Sequence, residues 1–178
     1  MPATATPPTL QSLIDPAEFR RVLGHFCSGL TIITSLATAR GGTSADEPVG
    51  FTCQSFASLS LDPPLVTFSV ARTSTTWPRI EPSGAFCANI LSAGQEALCR
   101  SFAVRGSDKF SGVAWTPGPG TGSPVLSGSL AWADCTVEAV HPGGDHWIVV
   151  GRVRAVEVAE PDAAPLLFYR SAFHRPAA

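Results

Sequence analysis

The chain has 178 residues, of which 44% are hydrophobic, and a formal charge of -2. That length fits one domain with a sizeable core, and the slight negative balance without a basic tract argues against a nucleic-acid partner. No apolar run approaches the ~20 residues a spanning helix needs, so no membrane segment is expected.

Met1 to Leu10 is rich in Pro, Thr and Ala and lacks the charged and apolar regions of a signal peptide. Residues 1–14 are therefore expected to be a disordered tail, and residues 15–178 the domain. Asp15-Pro-Ala-Glu18 predicts a helix start, with Asp15 as N-cap, Pro16 at the first helical position and Glu18 closing a capping box. Phe19, Val22, Leu23 and Phe26 follow at helical spacing and form one apolar face.

Leu30 to Leu36 is β-branched and short, which predicts a strand, and residues 37–48 with Gly41-Gly42 read as a loop. Val49 to Phe51 opens a second strand that runs into the polar stretch Thr52, Cys53, Gln54, Ser55, followed by Ser58 and Ser60. Asp62-Pro63-Pro64 stops it, and Leu65 to Val70 is the next strand. A strand that ends in hydroxyl and amide side chains suits the polar edge of a planar ligand; this stretch taken alone favours a Ser/Thr-rich turn between strands. Arg72 to Thr76 is a run of hydroxyls leading into a short helix near Thr76. Ala85 to Leu91 is a strand, Gln95 to Val104 a helix with Ala97, Leu98, Phe102 and Val104 apolar, and Gly106 to Phe110 a loop. Thr116 to Pro124 is a Gly/Pro turn segment. Leu130 to His141 and Trp147 to Val158 are long strands joined by the hairpin signal Pro142-Gly-Gly-Asp145. Pro165 to His174 is a short strand or turn carrying the only tyrosine, Tyr169. At least six strands with few helices make the chain mainly β, an antiparallel barrel or sandwich.

Several chemistries find no support. Gly118-Pro-Gly-Thr-Gly122 lacks G-x-G-x-x-G spacing, and Pro119 removes an N–H that a phosphate cradle would use. His25, His141, His146 and His174 have no metal-ligand spacing, and no carboxylates are paired for acid–base hydrolysis. Cys27, Cys53, Cys87, Cys99 and Cys135 are odd in number and include no C-x-x-C. They read as mostly buried small hydrophobes of a cytoplasmic protein.

The ordered blocks Ser28 to Thr34, Gly50 to Val66, Gly84 to Leu91, Ser107 to Phe110, Gly143 to His146 and Leu167 to Arg170 resemble those of the short-chain flavin reductases. These are split-barrel proteins that serve as reductase components of two-component flavin-dependent monooxygenases. The resemblance covers about residues 15 to 174. It departs at Cys53-Gln54, where the family usually has Ala-Asn, and at Ser171, where it often has Gly.

The resemblance implies a split antiparallel β-barrel that binds FMN or FAD and takes hydride from NADH or NADPH. Reduced flavin would then diffuse to a partner monooxygenase, and the protein would be a homodimer. It implies that Thr52, Cys53, Gln54 and Ser55 face the flavin ring and ribityl chain, with Thr31 beside the ring and Ser58 toward the phosphate. Ser74, Thr76 and Lys109 would hold the phosphate, aided by Arg72. Asn89, Ile90 and Leu91 would line the cofactor, with Phe110 nearby. His146, the one catalytic candidate, would border the nicotinamide site together with Tyr169 and Arg170. Two alternatives share the fold: a tailoring enzyme that retains flavin or takes another substrate, and a non-catalytic flavin-binding module.

Overall fold

The computed structural model describes residues 14–37 and 47–177. The expected tail, apart from Ile14, and residues 38–46 of the expected loop lie outside them. The first helix, α1 (Pro16–Leu23), starts as predicted: Asp15 Oδ2 accepts the Glu18 N–H at 3.2 Å. The capping box is only half made, because the Glu18 carboxylate turns to the Arg21 guanidinium one turn on, at 2.6 Å. The apolar face is also uncovered within the chain. Phe19, Val22 and Leu23 are each about half exposed, Phe26 is 77% exposed, and no residue of α1 is buried.

Among the described residues twelve strands follow: β1 (Ser28–Gly29), β2 (Thr31–Ala37), β3 (Glu47–Cys53), β4 (Ala57–Leu61), β5 (Pro64–Ala71), β6 (Ala85–Ile90), β7 (Trp115–Pro117), β8 (Pro124–Leu126), β9 (Ala131–Gly143), β10 (His146–Val158), β11 (Leu167–Tyr169) and β12 (Ala172–His174). Among them lie the short helix α2 (Trp77–Ile80) and α3 (Glu96–Ala103). Seven strands form one antiparallel sheet in the order β3-β2-β6-β9-β10-β5-β4. It curls on itself: the Phe51 ring of β3 lies 6.1 Å from that of Phe68 in β5, although these strands are first and sixth in the order. Ile33, Val66, Phe68, Phe86, Trp77 and Val149 fill the space it encloses. The barrel expected from the strand count is thus present.

The β9–β10 hairpin closes through Gly144-Asp145, with Gly144 at φ 71, the positive value that the first position of such a two-residue loop favours. Two bulges, between Val150 and Gly151 and between Val153 and Ala155, bend these long strands around the core.

A second cluster (Leu30, Ile32, Leu91, Phe102, Leu126, Leu166) packs α3 and the C-terminal strands against the outside of the sheet. Helix α3 is entered through a 3-10 turn capped by Ser92 and Gln95. Its Leu98 and Phe102 face that cluster as expected. Ala97 and Val104 do not; both are exposed, and Cys99 takes the inward place.

The Gly/Pro segment is not a plain turn. Strands β7 and β8 pair across it, and its tip wraps the fully buried Asp134. Asp134 Oδ2 accepts the N–H groups of Gly120 and Thr121, both at 2.8 Å, and Oδ1 accepts the Thr121 hydroxyl. A Cβ on Gly118 would lie 2.6 Å from the same carboxylate, so the approach needs glycine there. All five cysteines are free, and Cys27 alone is exposed. Burial pushes the other four thiols up, so none is a ready nucleophile. No helix among the described residues is long and apolar enough to cross a membrane.

Candidate functional site

A cleft of about 930 Å³ opens where the ends of β3 and β5 meet α3 and the β11–β12 hairpin. Thr52, Cys53, Gln54 and Ser55 form one wall, Ser74, Thr75 and Thr76 another. The first wall is stiff because its polar groups are tied down. The Thr52 hydroxyl donates to the Cys99 carbonyl of α3 at 2.5 Å. The Ser55 hydroxyl donates to the Ser69 carbonyl at 3.1 Å and accepts the Ser69 N–H at 2.8 Å, pinning the strand end to β5. Cys53 Sγ lies 3.4 Å from Ser55 Oγ. Gln54 is exposed, and among the described residues its amide has no hydrogen-bond partner, which leaves a donor and an acceptor for a ligand.

On the second wall the Ser74 hydroxyl accepts the N–H groups of Thr76 (3.3 Å) and Trp77 (3.1 Å), capping α2 in place of Thr76. The hydroxyls of Thr75 and Thr76 have no partner among the described residues. Lys109 sits between this wall and a smaller adjoining hollow of about 400 Å³. Its ammonium donates to the Gly50 carbonyl at 3.0 Å and the Phe102 carbonyl at 2.9 Å, which leaves one N–H for a ligand. Burial holds it below the ordinary lysine range. His146, the first residue of β10, lines the far side; its Nδ1 is 2.7 Å from Asp145 Oδ1, and that hydrogen bond holds the Asp145 carboxyl below its usual range.

The other expected site residues lie elsewhere. Thr31 is buried beneath the strand end, its hydroxyl donating to the Cys53 carbonyl at 3.0 Å. Asn89, Ile90 and Leu91 do not line the cleft, because β6 is a central strand covered on both sides. Asn89 is fully buried, and its amide donates to the Ile32 carbonyl (3.1 Å) and Thr34 hydroxyl (3.0 Å) and accepts the Leu126 N–H (2.8 Å). Leu91 belongs to the cluster under α3. Ser58 is exposed on the edge strand β4, away from the cleft. The Arg72 guanidinium lies 3.9 Å from the centroid of the Trp147 ring and does not line the cleft. Phe110 packs edge-on against Phe102 and lines the smaller hollow. The Tyr169 ring meets His25 and His174, and Arg170 occupies a left-handed turn position (φ 49). In this hairpin Phe168, Ser171 and Phe173 line the cleft instead; alternation along β11 turns Phe168 to it and Tyr169 away.

Sequence reasoning missed the contribution of α3. Arg100, Phe102, Ala103, Val104 and Arg105 all line the cleft. Their signal is the helix's own periodicity, since the flank of its apolar face is what meets β3. Arg100, Arg105, Lys109 and His146 line the cleft, and no Asp or Glu among the described residues does. With the free Gln54, Thr75 and Thr76 groups, this fits a planar ligand with a polar edge and a phosphate.

A family model described as flavin reductase like domain matches residues 23–177. The chain is 51% identical to the reductase subunit HsaB of a flavin-dependent monooxygenase from Rhodococcus jostii, over 90% of this chain and 77% of that protein. It resembles the crystal structure of nitrilotriacetate monooxygenase component B from Mycobacterium thermoresistibile, with a TM-score of 0.82 and 50% identity over 90% of this chain and 86% of that one. The NADH:FAD oxidoreductase SgcE6 of Streptomyces globisporus, solved with NAD and FAD fragments, aligns with a TM-score of 0.82 and 34% identity over 94% of this chain and 98% of that one.

Proposed function

The chain belongs to the flavin reductase like domain family, and we propose that its cleft binds FMN or FAD beside the nicotinamide of NADH or NADPH. The protein is an oxidoreductase of the split-barrel flavin reductases, and its task is to supply reduced flavin to a partner monooxygenase. The observation that carries this reading is the cleft itself: among the described residues, four basic side chains line it, no carboxylate does, and amide and hydroxyl groups on two walls have no partner.

Bound flavin and nicotinamide supply the redox chemistry. Phe51, Phe102, Phe168 and Phe173 line the cleft and would pack against the cofactor rings and keep water away. The Thr52–Ser55 strand end faces the flavin ring edge, with the free Gln54 amide as its polar contact. Thr75, Thr76 and the remaining Lys109 N–H take the phosphate. His146, oriented by Asp145, borders the nicotinamide. The name of the Streptomyces relative favours NADH as donor.

A homodimer accounts for the apolar face of α1, because a second copy would cover Phe19, Val22, Leu23 and Phe26. Free thiols without a disulfide support a reducing compartment, the cytoplasm.

The test is steady-state oxidation of NADH and of NADPH with added FMN or FAD. Turnover is expected, with the rate dependent on free flavin concentration. Absence of turnover with both flavins under both donors would overturn the reductase reading.

A further inference from the structure

We propose that Arg105, just past the end of α3, is the residue that recognises the flavin's phosphate. The proposal rests on the reading of the cleft as a flavin site. Of the four basic side chains lining the cleft, three already have strong partners. Arg100 pairs with Glu96 at 2.8 Å and lies over the Phe173 ring at 4.3 Å. His146 is held by Asp145. Lys109 spends two of its three N–H groups on backbone carbonyls. Arg105 alone has no carboxylate or carbonyl partner among the described residues; its one contact is a long hydrogen bond, 3.4 Å, from Nη2 to the Thr73 hydroxyl.

That contact places the guanidinium against the segment carrying Thr75 and Thr76, whose hydroxyls are the unpaired donors of the opposite wall. A guanidinium fork and two hydroxyls, with the last Lys109 N–H, form a donor set matched to a phosphate. Arg72, the arginine that the resemblance points to, is stacked on Trp147 and stands outside the cleft. The smaller hollow shares Thr75, Thr76 and Lys109 with the cleft, but Glu47 and Asp108 line it too and its one arginine, Arg79, is bound to Glu47 at 2.6 Å; Arg105 lines only the cleft.

The experiment is titration of the full chain with FMN, riboflavin and NADH, read by flavin fluorescence and, for NADH, by calorimetry. Riboflavin lacks only the phosphate. Arg105→Ala is expected to weaken FMN binding roughly tenfold to hundredfold, the range for a charge-assisted hydrogen bond, and to leave riboflavin and NADH unchanged. Arg105→Lys is expected to recover part of the loss, because it restores charge without the fork. Arg72→Ala is expected to leave the FMN-to-riboflavin ratio as it is. Equal weakening of FMN and riboflavin, no change in either, or a loss confined to NADH would each overturn the assignment. A wild-type protein that binds neither flavin would instead overturn the flavin site itself.

Discussion

The Lys109 ammonium donates to the Gly50 carbonyl at 3.0 Å, so the chain's only lysine is anchored to the strand that ends in Thr52 and Gln54. Two carbonyls hold it in place, and burial lowers its pKa from the ordinary lysine value. The folded protein thus binds this proton less tightly than the unfolded chain. In the alkaline window between the two values, the contribution of Lys109 to stability rises with pH. Phosphate binding moves the other way, since the cation is lost as pH rises through the folded value. FMN affinity is expected to fall on the alkaline side earlier than for a free lysine, and this fall is expected to vanish in Lys109→Met, whose affinity at neutral pH is about tenfold lower. A pH series of FMN dissociation constants for both proteins checks this.

Gly50→Ala tests the same anchor from the backbone side. A Cβ there would lie 2.8 Å from Phe102 Cε1 and 2.9 Å from the Ile33 carbonyl oxygen, and the carbonyl cannot swing away as a side chain can. A loss of about 1–3 kcal/mol is expected in denaturant unfolding, as for an overpacked core site. FMN binding is expected to weaken with it, because the Lys109 acceptor shifts.

Asp134→Ala leaves two backbone N–H groups and a hydroxyl without their acceptor in a buried place. A loss of about 2–4 kcal/mol is expected. Because Asp134 does not line the cleft, the dissociation constant for FMN is expected to stay at the wild-type value wherever the variant remains folded. A changed constant would mean that the Gly118–Gly122 loop takes part in binding.

Ser171 carries φ 62, a left-handed value costly to any residue with a Cβ, beside Arg170 at φ 49. Ser171→Gly removes that cost and gains some unfolded-state entropy in return. A net gain of about 0.5–1 kcal/mol is expected, seen as a higher melting temperature.

His146→Gln keeps a polar group at the start of β10 but loses the ring that Asp145 orients. Turnover is expected to fall roughly tenfold to hundredfold through misplacement of the nicotinamide, with FMN affinity unchanged. Stopped-flow measurement of flavin reduction separates the two.

Where a residue's position follows from its strand and local chemistry, it is legible in the sequence. The β9–β10 hairpin follows from Gly-Gly-Asp between alternating strands, and the polar groups at Thr52–Ser55 and Ser74–Thr76, each placed after an apolar strand, line one cleft in the fold. Asn89 was misplaced because its strand is central: burial on both sides depends on β2 and β9, which lie far from it in sequence. Strand alternation turns Phe168 to the cleft and Tyr169 away, a one-residue phase that the short segment Leu167–Tyr169 does not fix by itself. The α3 residues escaped notice because their apolar pattern names a face without naming what it meets. Glu18 shows a local limit: two partners were within reach, and the charged one took it.

The Gly118–Gly122 loop has the composition of an anion receptor and acts as one, but its anion is tethered to the same chain. The Asp134 carboxylate is therefore present at an effective concentration that no dissolved phosphate matches. A free nucleotide entering this protein meets one anion receptor permanently filled, and under the proposed function its phosphate is left to the cleft.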